Sequence, residues 1–253
     1  MEFGVHLFTL VPRIDARALE ALPRLRELGF DGCEIPLLAE QLGGIDLGGL
    51  RRRLDELGLF RIAGTGIPEH LSTVSEDPEV RHRGLDFLKA CVDACTRLGA
   101  ELLTGALYGP FGTRSAAEGR TAGQRRRSVE VLREACAYAR ERGVTLGLEP
   151  LNRYEHYFLN TAAEAAALIR EVEAPNLKLH LDSYHMNIEE KSLHGAVLTA
   201  GGLLAHVHAS ENDRGTPGSG LVDWDGLFRG LAETGYRGRM VVETFFEPVP
   251  EIA

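Results

Sequence analysis

Apolar and polar positions along the chain fall into two alternating rhythms. Short apolar runs, which mark strands buried on both faces, recur at Phe3–Leu10, Gly32–Pro36, Phe60–Ile67, Glu101–Leu107, Val144–Glu149, Asn176–Asp182, Leu203–Ala209 and Arg239–Phe245. Between them lie longer stretches whose apolar residues return every three or four positions, as on one face of a helix. These are Asp15–Leu28, Leu47–Leu57, Pro78–Leu98, Ala116–Arg142, Thr161–Glu171, Leu193–Ala200 and Trp224–Thr234. The segment between Asp182 and Leu193 reads as irregular. Local signals agree with this division. Asp77 before Pro78 is an N-cap followed by proline at the first helical position, and Gly29, Gly58, Gly99, Gly143 and Gly235 stand where helices stop.

Eight strands separated by seven helices is the alternation of parallel β units. An open doubly wound sheet and a closed barrel both satisfy it. The count of eight favours the barrel, and no glycine-rich phosphate fingerprint follows the first strand. The 253 residues approach the roughly 250 of one such barrel, with no linker-like or low-complexity stretch to divide them. The expectation is a single α/β domain over residues 1–253, a (β/α)8 TIM barrel. The last strand lies only a few residues before Ala253, so the eighth helix is read as missing or truncated.

Charge narrows the partners. A net charge of −9 argues against nucleic acid and against an anionic membrane surface, both of which need a positive face. Cys33, Cys91, Cys95 and Cys136 include no CxxC pair and read as buried free thiols. The N-terminus MEFGVHLFTL has no basic and apolar leader, and no apolar run approaches the ~18 residues of a spanning helix. A cytoplasmic location is expected.

Charged residues at the C-terminal ends of barrel strands carry chemistry, because that end forms the active-site face. Four successive runs each place one there. TLGLE ends in Glu149, LKLHLD in Asp182, AHVHA carries His208 and MVVE ends in Glu243. Adjacent strands lie about 4.8 Å apart, so these side chains can converge. Three carboxylates and an imidazole in one place need a counter-charge, which a dication supplies. An oxygen-rich set with one nitrogen and no thiolate points to Mn²⁺, with Mg²⁺ or Co²⁺ also suited. The alternative is four unrelated polar residues at loop starts. His6 on the first strand either faces the pocket or is a satisfied core histidine. His185 reads by itself as a loop histidine, and Arg214 as a solvated loop charge.

The stretches LEPLNRYEHYFLNTAAEA, HLDSYHMNIEE, HVHASENDRGTPGSGLVDWDGLF and VVETF resemble the ketose 3-epimerase family, which includes D-tagatose, D-psicose (allulose) and L-ribulose 3-epimerases. That family lies within the xylose-isomerase-like barrels. The likeness is continuous from about Leu146 to Phe246 and in register across the first half, and LDxxHMNIEE and ExxNRxE are its most specific segments. It implies C3 epimerisation of a free ketose through a cis-enediolate. Glu149 and Glu243 would be the acid/base pair, and Glu149, Asp182, His208 and Glu243 the metal ligands. Glu155, His185 and Arg214 would hold the O1–O3 end of the substrate, with His6 and Tyr108 as further substrate-binding residues. It also implies a homodimer or homotetramer. The chain departs from the family pattern at Leu7 and Phe8 and at Tyr108-Gly109-Pro110-Phe111, positions that line the distal end of the sugar pocket.

Three other functions fit parts of the pattern. Hydroxypyruvate isomerases and inosose dehydratases or isomerases keep the metal and change the reaction. An apurinic-site endonuclease would use a zinc cluster, for which His70, Asp182, His185 and His208 offer only part of the ligands, and the negative charge opposes a phosphate backbone. A non-catalytic sugar-binding barrel has no use for two opposed carboxylates.

Overall fold

The computed structural model describes residues 1–112 and 119–245. Eight parallel strands form a closed barrel in sequence order, β1 (Glu2–His6), β2 (Gly32–Pro36), β3 (Phe60–Gly64), β4 (Leu102–Gly105), β5 (Thr145–Leu148), β6 (Leu177–Asp182), β7 (Leu204–Ala209) and β8 (Arg239–Val242). Closure is made by β1 on β8, with Glu2 opposite Arg239 and Val5 opposite Val242. Around it run α1 (Ala16–Glu27), α2 (Leu47–Leu57), α3 (Pro78–Leu98), α4 (Ala122–Arg140), α5 (Ala162–Val172), α6 (Ser183–Glu189), α7 (Leu193–Ala200) and α8 (Trp224–Glu233). The segment that would hold a helix after β8 lies outside the described residues.

Local chemistry sets these boundaries. The Asp77 side chain accepts from the Glu79 N–H with Pro78 behind it, and Gly99 closes α3 in the left-handed conformation. α4 and α5 each start in a reciprocal capping box, Thr121 with Gln124 and Thr161 with Glu164. The first box fixes the start of α4 at Ala122, later than the Ala116 expected from periodicity, which lies outside the described residues. β1 is shorter than the apolar run Phe3–Leu10. The His6 imidazole accepts from the Phe8 N–H and turns Leu7–Thr9 into a 3-10 turn. β3 and β4 likewise stop at Gly64 and Gly105. The expected irregular segment after β6 is instead α6, whose N-cap is Asp182.

The barrel interior is packed in layers of side chains, as parallel barrels require. At the bottom, Phe60, Ile62, Leu102 and Val241 form an apolar plug. Gly4 and Gly32 leave room for the Phe60 ring, since a Cβ on either would lie within 2.7 Å of it. Above the plug, the inward positions turn polar. Alternate residues along each strand face the same side, so His180 lies beneath Asp182 and His206 beneath His208. The four cysteines are free and buried in the surrounding core. Among the described residues no helix is long and apolar enough to cross a membrane.

Candidate active site

Eight residues lie toward the C-terminal mouth of the barrel, one from each strand or from the position just after it: His6, Glu34, Gly64, Thr104, Glu149, Asp182, His208 and Glu243. A cavity of about 470 Å³ opens over them, and its described lining includes Phe8, Leu38, Pro68, Phe111, Glu155 and Arg214. That volume falls within the range of small-molecule sites.

The expected ligand set is drawn together. Donor atoms of Glu149, Asp182 and His208 all lie within 4.8 Å of one another. His208 Nδ1 stands 3.5 Å from Glu243 Oε2 and 4.0 Å from Glu149 Oε1. This nitrogen is buried and has no hydrogen-bond partner, as a ligating lone pair requires. Its Nε2 is held at 2.8 Å by Glu34. Asp182 divides its oxygens. Oδ1 accepts from the Tyr184 N–H and caps α6, while Oδ2 faces the cluster and receives Arg214 Nη1 at 2.7 Å.

Arg214 reaches the cluster from the loop between β7 and α8. Its φ of 61° places it in the left-handed region, at a cost of order 1 kcal/mol that local structure must hold. Its N–H donates to Glu211 O, and its carbonyl accepts from Phe245 N–H. The buried Glu211 carboxylate organises that loop by accepting from Gly218, Val222 and Trp224 Nε1. The guanidinium lies over the Tyr184 ring and bridges Asp182 and Glu243. His185 Nδ1 accepts from the Asn152 N–H, and its Nε2 lies 3.1 Å from Arg214 Nη2 and 3.8 Å from both Glu149 and Asp182. Asn152 Nδ2 donates to Glu155 at 2.7 Å, so Glu155 sits at the rim on the same loop.

Electrostatics separate the carboxylates. Burial pushes the Glu149 carboxyl well above its usual range, and Glu243 and Asp182 add to the shift against His208. Asp182 is raised to about 6 by burial, against Arg214. Burial opposes the charge on Glu243 too, but His208 and Arg214 outweigh it and hold that carboxyl well below the ordinary value. Burial also opposes a charge on His208, yet Glu34 and Glu243 on either side raise it well above 6.5.

Two expected substrate contacts fare differently. His6 is buried but lines the cavity, with Nε2 3.9 Å from Glu243. Tyr108 does not reach it. The ring is fully buried and its hydroxyl donates to the backbone carbonyls of Glu149 and Leu159, so it braces the loop after β5 and offers nothing to a sugar. Of the positions departing from the family pattern, Phe8 and Phe111 line the cavity and Leu7 belongs to the core. Sequence reasoning missed Glu34, a carboxylate in the middle of an apolar five-residue strand.

Comparisons with known proteins agree with this architecture. A family model described as xylose isomerase-like TIM barrel matches residues 22–253. A ketose 3-epimerase of Arthrobacter globiformis is 34% identical over 250 residues, spanning 98% of this chain and 85% of that one. The crystal structure of a D-allulose 3-epimerase from Methylomonas sp. in complex with D-allulose superposes with a TM-score of 0.92 at 33% identity, covering 97% of this chain and 84% of that one. A 3-dehydro-D-guloside 4-epimerase of Escherichia coli is 32% identical over 232 residues, 89% of this chain and 86% of its own length.

Proposed function

This chain belongs to the xylose isomerase-like TIM-barrel family and to the ketose 3-epimerases within it, and on that premise we propose that it inverts C3 of a free ketose with Glu149 and Glu243 as the two proton-transferring groups. The observation that supports this most directly is the convergence of Glu149, Asp182, His208 and Glu243 under one cavity, with His185 and Arg214 at its edge. The donor set, three carboxylates and the bare Nδ1 of His208, fits a hard or borderline divalent cation such as Mn²⁺, Mg²⁺ or Co²⁺. Bound there, such an ion would polarise the ketose oxygens and acidify the adjacent C–H.

The protein's own groups supply the rest. Glu149 follows β5 and Glu243 follows β8, three strands apart around the ring, so they approach a bound sugar from different sides. One removes the C3 proton from its face. The other delivers a proton to the opposite face, and the roles exchange in the reverse reaction. Proton transfer by positioned groups of this kind contributes typically ~10²–10⁴-fold. Arg214 and His185 hold the oxygens at the C1–C2 end and stabilise the enediolate's negative charge. Glu155 on the Asn152 loop orients the same end. The expected assembly is a homodimer or homotetramer, which a solution mass would test.

The test is incubation of Mn²⁺-loaded protein in D₂O with fructose, psicose, tagatose, sorbose, ribulose and xylulose, followed by NMR. Deuterium at C3 together with the C3 epimer is expected for at least one ketose. No exchange with any of them, from protein shown to hold metal, would overturn the reading in favour of a sugar isomerase or dehydratase. The likeness to the E. coli 4-epimerase supports one second reading, proton exchange at C4 beside a C3 ketone. A 3-keto glycoside in the same panel separates it, because deuterium would then enter at C4.

A further inference from the structure

We infer that Glu34 is a positioning residue, which fixes the ring of His208 so that its Nδ1 points into the carboxylate cluster. The inference rests on the reading of His208 as a metal ligand. Glu34 lies in the middle of β2, across the barrel from β7, and is almost fully buried. A single oxygen, Oε2, receives both His206 Nε2 at 2.9 Å and His208 Nε2 at 2.8 Å. A carboxylate only accepts hydrogen bonds, so both Nε2 atoms carry protons. The remaining nitrogen of His208, Nδ1, is therefore the one left to face Glu149 and Glu243, and it is the buried atom without a partner.

The carboxylate is itself held. His206 clamps it from below and packs its ring on His180, with centroids 4.6 Å apart. Gly64 on β3 makes room for it, because a Cβ there would stand 2.3 Å from Glu34 Oε1. The arrangement is a carboxylate–histidine pair behind a ligating nitrogen, the means by which outer groups fix a ligand's tautomer and raise its basicity. It also accounts for a glutamate inside a strand whose other residues are apolar or small.

Mn²⁺ affinity of full-length E34Q, G64A and H208N proteins tests this, read from the electron paramagnetic resonance of free Mn²⁺ without any substrate. A glutamine oxygen in the same place keeps its two lone pairs but carries no charge, so it holds both rings more weakly. E34Q should therefore weaken Mn²⁺ binding by about 10–100-fold, the usual effect of losing such a partner. G64A leaves every charge in place and displaces the carboxylate by sterics, so it should weaken binding in the same direction and keeps the test open if E34Q does not fold. The ¹⁵N shifts of the His208 ring in Mg²⁺-loaded protein give a readout that a merely structural role would not move. The Nε2–H signal should move from its charge-assisted hydrogen-bonded position in both variants. Wild-type affinity and unchanged His208 shifts in E34Q and G64A, with binding lost in H208N, would overturn the role of Glu34 and leave His208 as a ligand. Undiminished binding by H208N would overturn the ligand reading, and the inference with it.

Discussion

Acid should loosen this protein through His156, which stands behind the loop that carries Glu149. The imidazole is fully buried, with ring centroids 4.9 Å from Tyr108 and 5.5 Å from Tyr157, and its Nδ1 accepts from the Phe158 N–H at 3.0 Å. Burial lowers its pKa to about 4, against the opposing pull of the Gly109 and Pro110 backbone. In the unfolded chain the same group titrates near ~6.5. Between those values the unfolded chain binds a proton that the folded protein refuses. The stability tied to neutral His156 is therefore fully present above pH ~6.5 and falls as the pH drops toward 4. With these two values the loss between pH 7 and pH 5 comes to about 2 kcal/mol, and the full loss below pH 4 to about 3.4 kcal/mol.

Urea unfolding of the metal-free protein at pH 7 and pH 5, followed by circular dichroism, measures this when wild type is compared with H156N. Asparagine places an acceptor near Nδ1 and cannot take up the proton. His6, His180, His185 and His206, whose pKa values burial also lowers, are present in both proteins and cancel in the comparison. Wild type should lose about 2 kcal/mol more than H156N over that interval. Equal losses would refute the argument, since they would mean that folding does not exclude the proton from His156.

Three further substitutions separate bracing from chemistry. Y108F removes the hydroxyl that donates to the Glu149 and Leu159 carbonyls and should cost about 1–3 kcal/mol in chemical unfolding. KM for the preferred ketose should stay near wild type, and a large rise in KM with unchanged stability would return Tyr108 to the substrate pocket. E149Q and E243Q should each lower kcat for epimerisation by at least ~10²-fold, even where the remaining carboxylate still exchanges the C3 proton on its own face. Formation of the C3 epimer at the wild-type rate in either variant would remove that residue from the proton path.

The alternation of strands and helices was legible because each barrel strand is buried on both faces, so its apolar run is uninterrupted. Glu149, Asp182, His208 and Glu243 stood out because each lies at or near the end of such a run. What escaped was wherever one side chain performs two tasks. Asp182 read as a cluster residue, and its second oxygen's role as the N-cap of α6 therefore went unassigned and left that helix as an irregular segment. His6 read as part of a longer strand, while its ring nitrogen ends β1 by accepting from the Phe8 N–H. Tyr108 carries a polar atom beside the expected pocket, and sequence alone does not say that the hydroxyl turns back to the main chain.

Glu34 escaped for a different reason. A rule confined to strand ends in the second half of the barrel excludes a carboxylate two residues before the end of β2, and it also excludes His180 and His206, each two residues before a retained position. Period-two alternation puts those histidines on the same inward face as Asp182 and His208. A strand that is apolar except for one inward ionisable residue already demands a partner, because an unpaired buried charge costs several kcal/mol. The partner's identity is the part that sequence withholds. It depends on how the strands stagger around the barrel, and that stagger brings one oxygen of Glu34 to two imidazoles more than 170 residues away. The inward polar residues of β2 and β7 therefore belong to one unit with the cavity floor, even though only one of them, His208, sits where a ligand is expected.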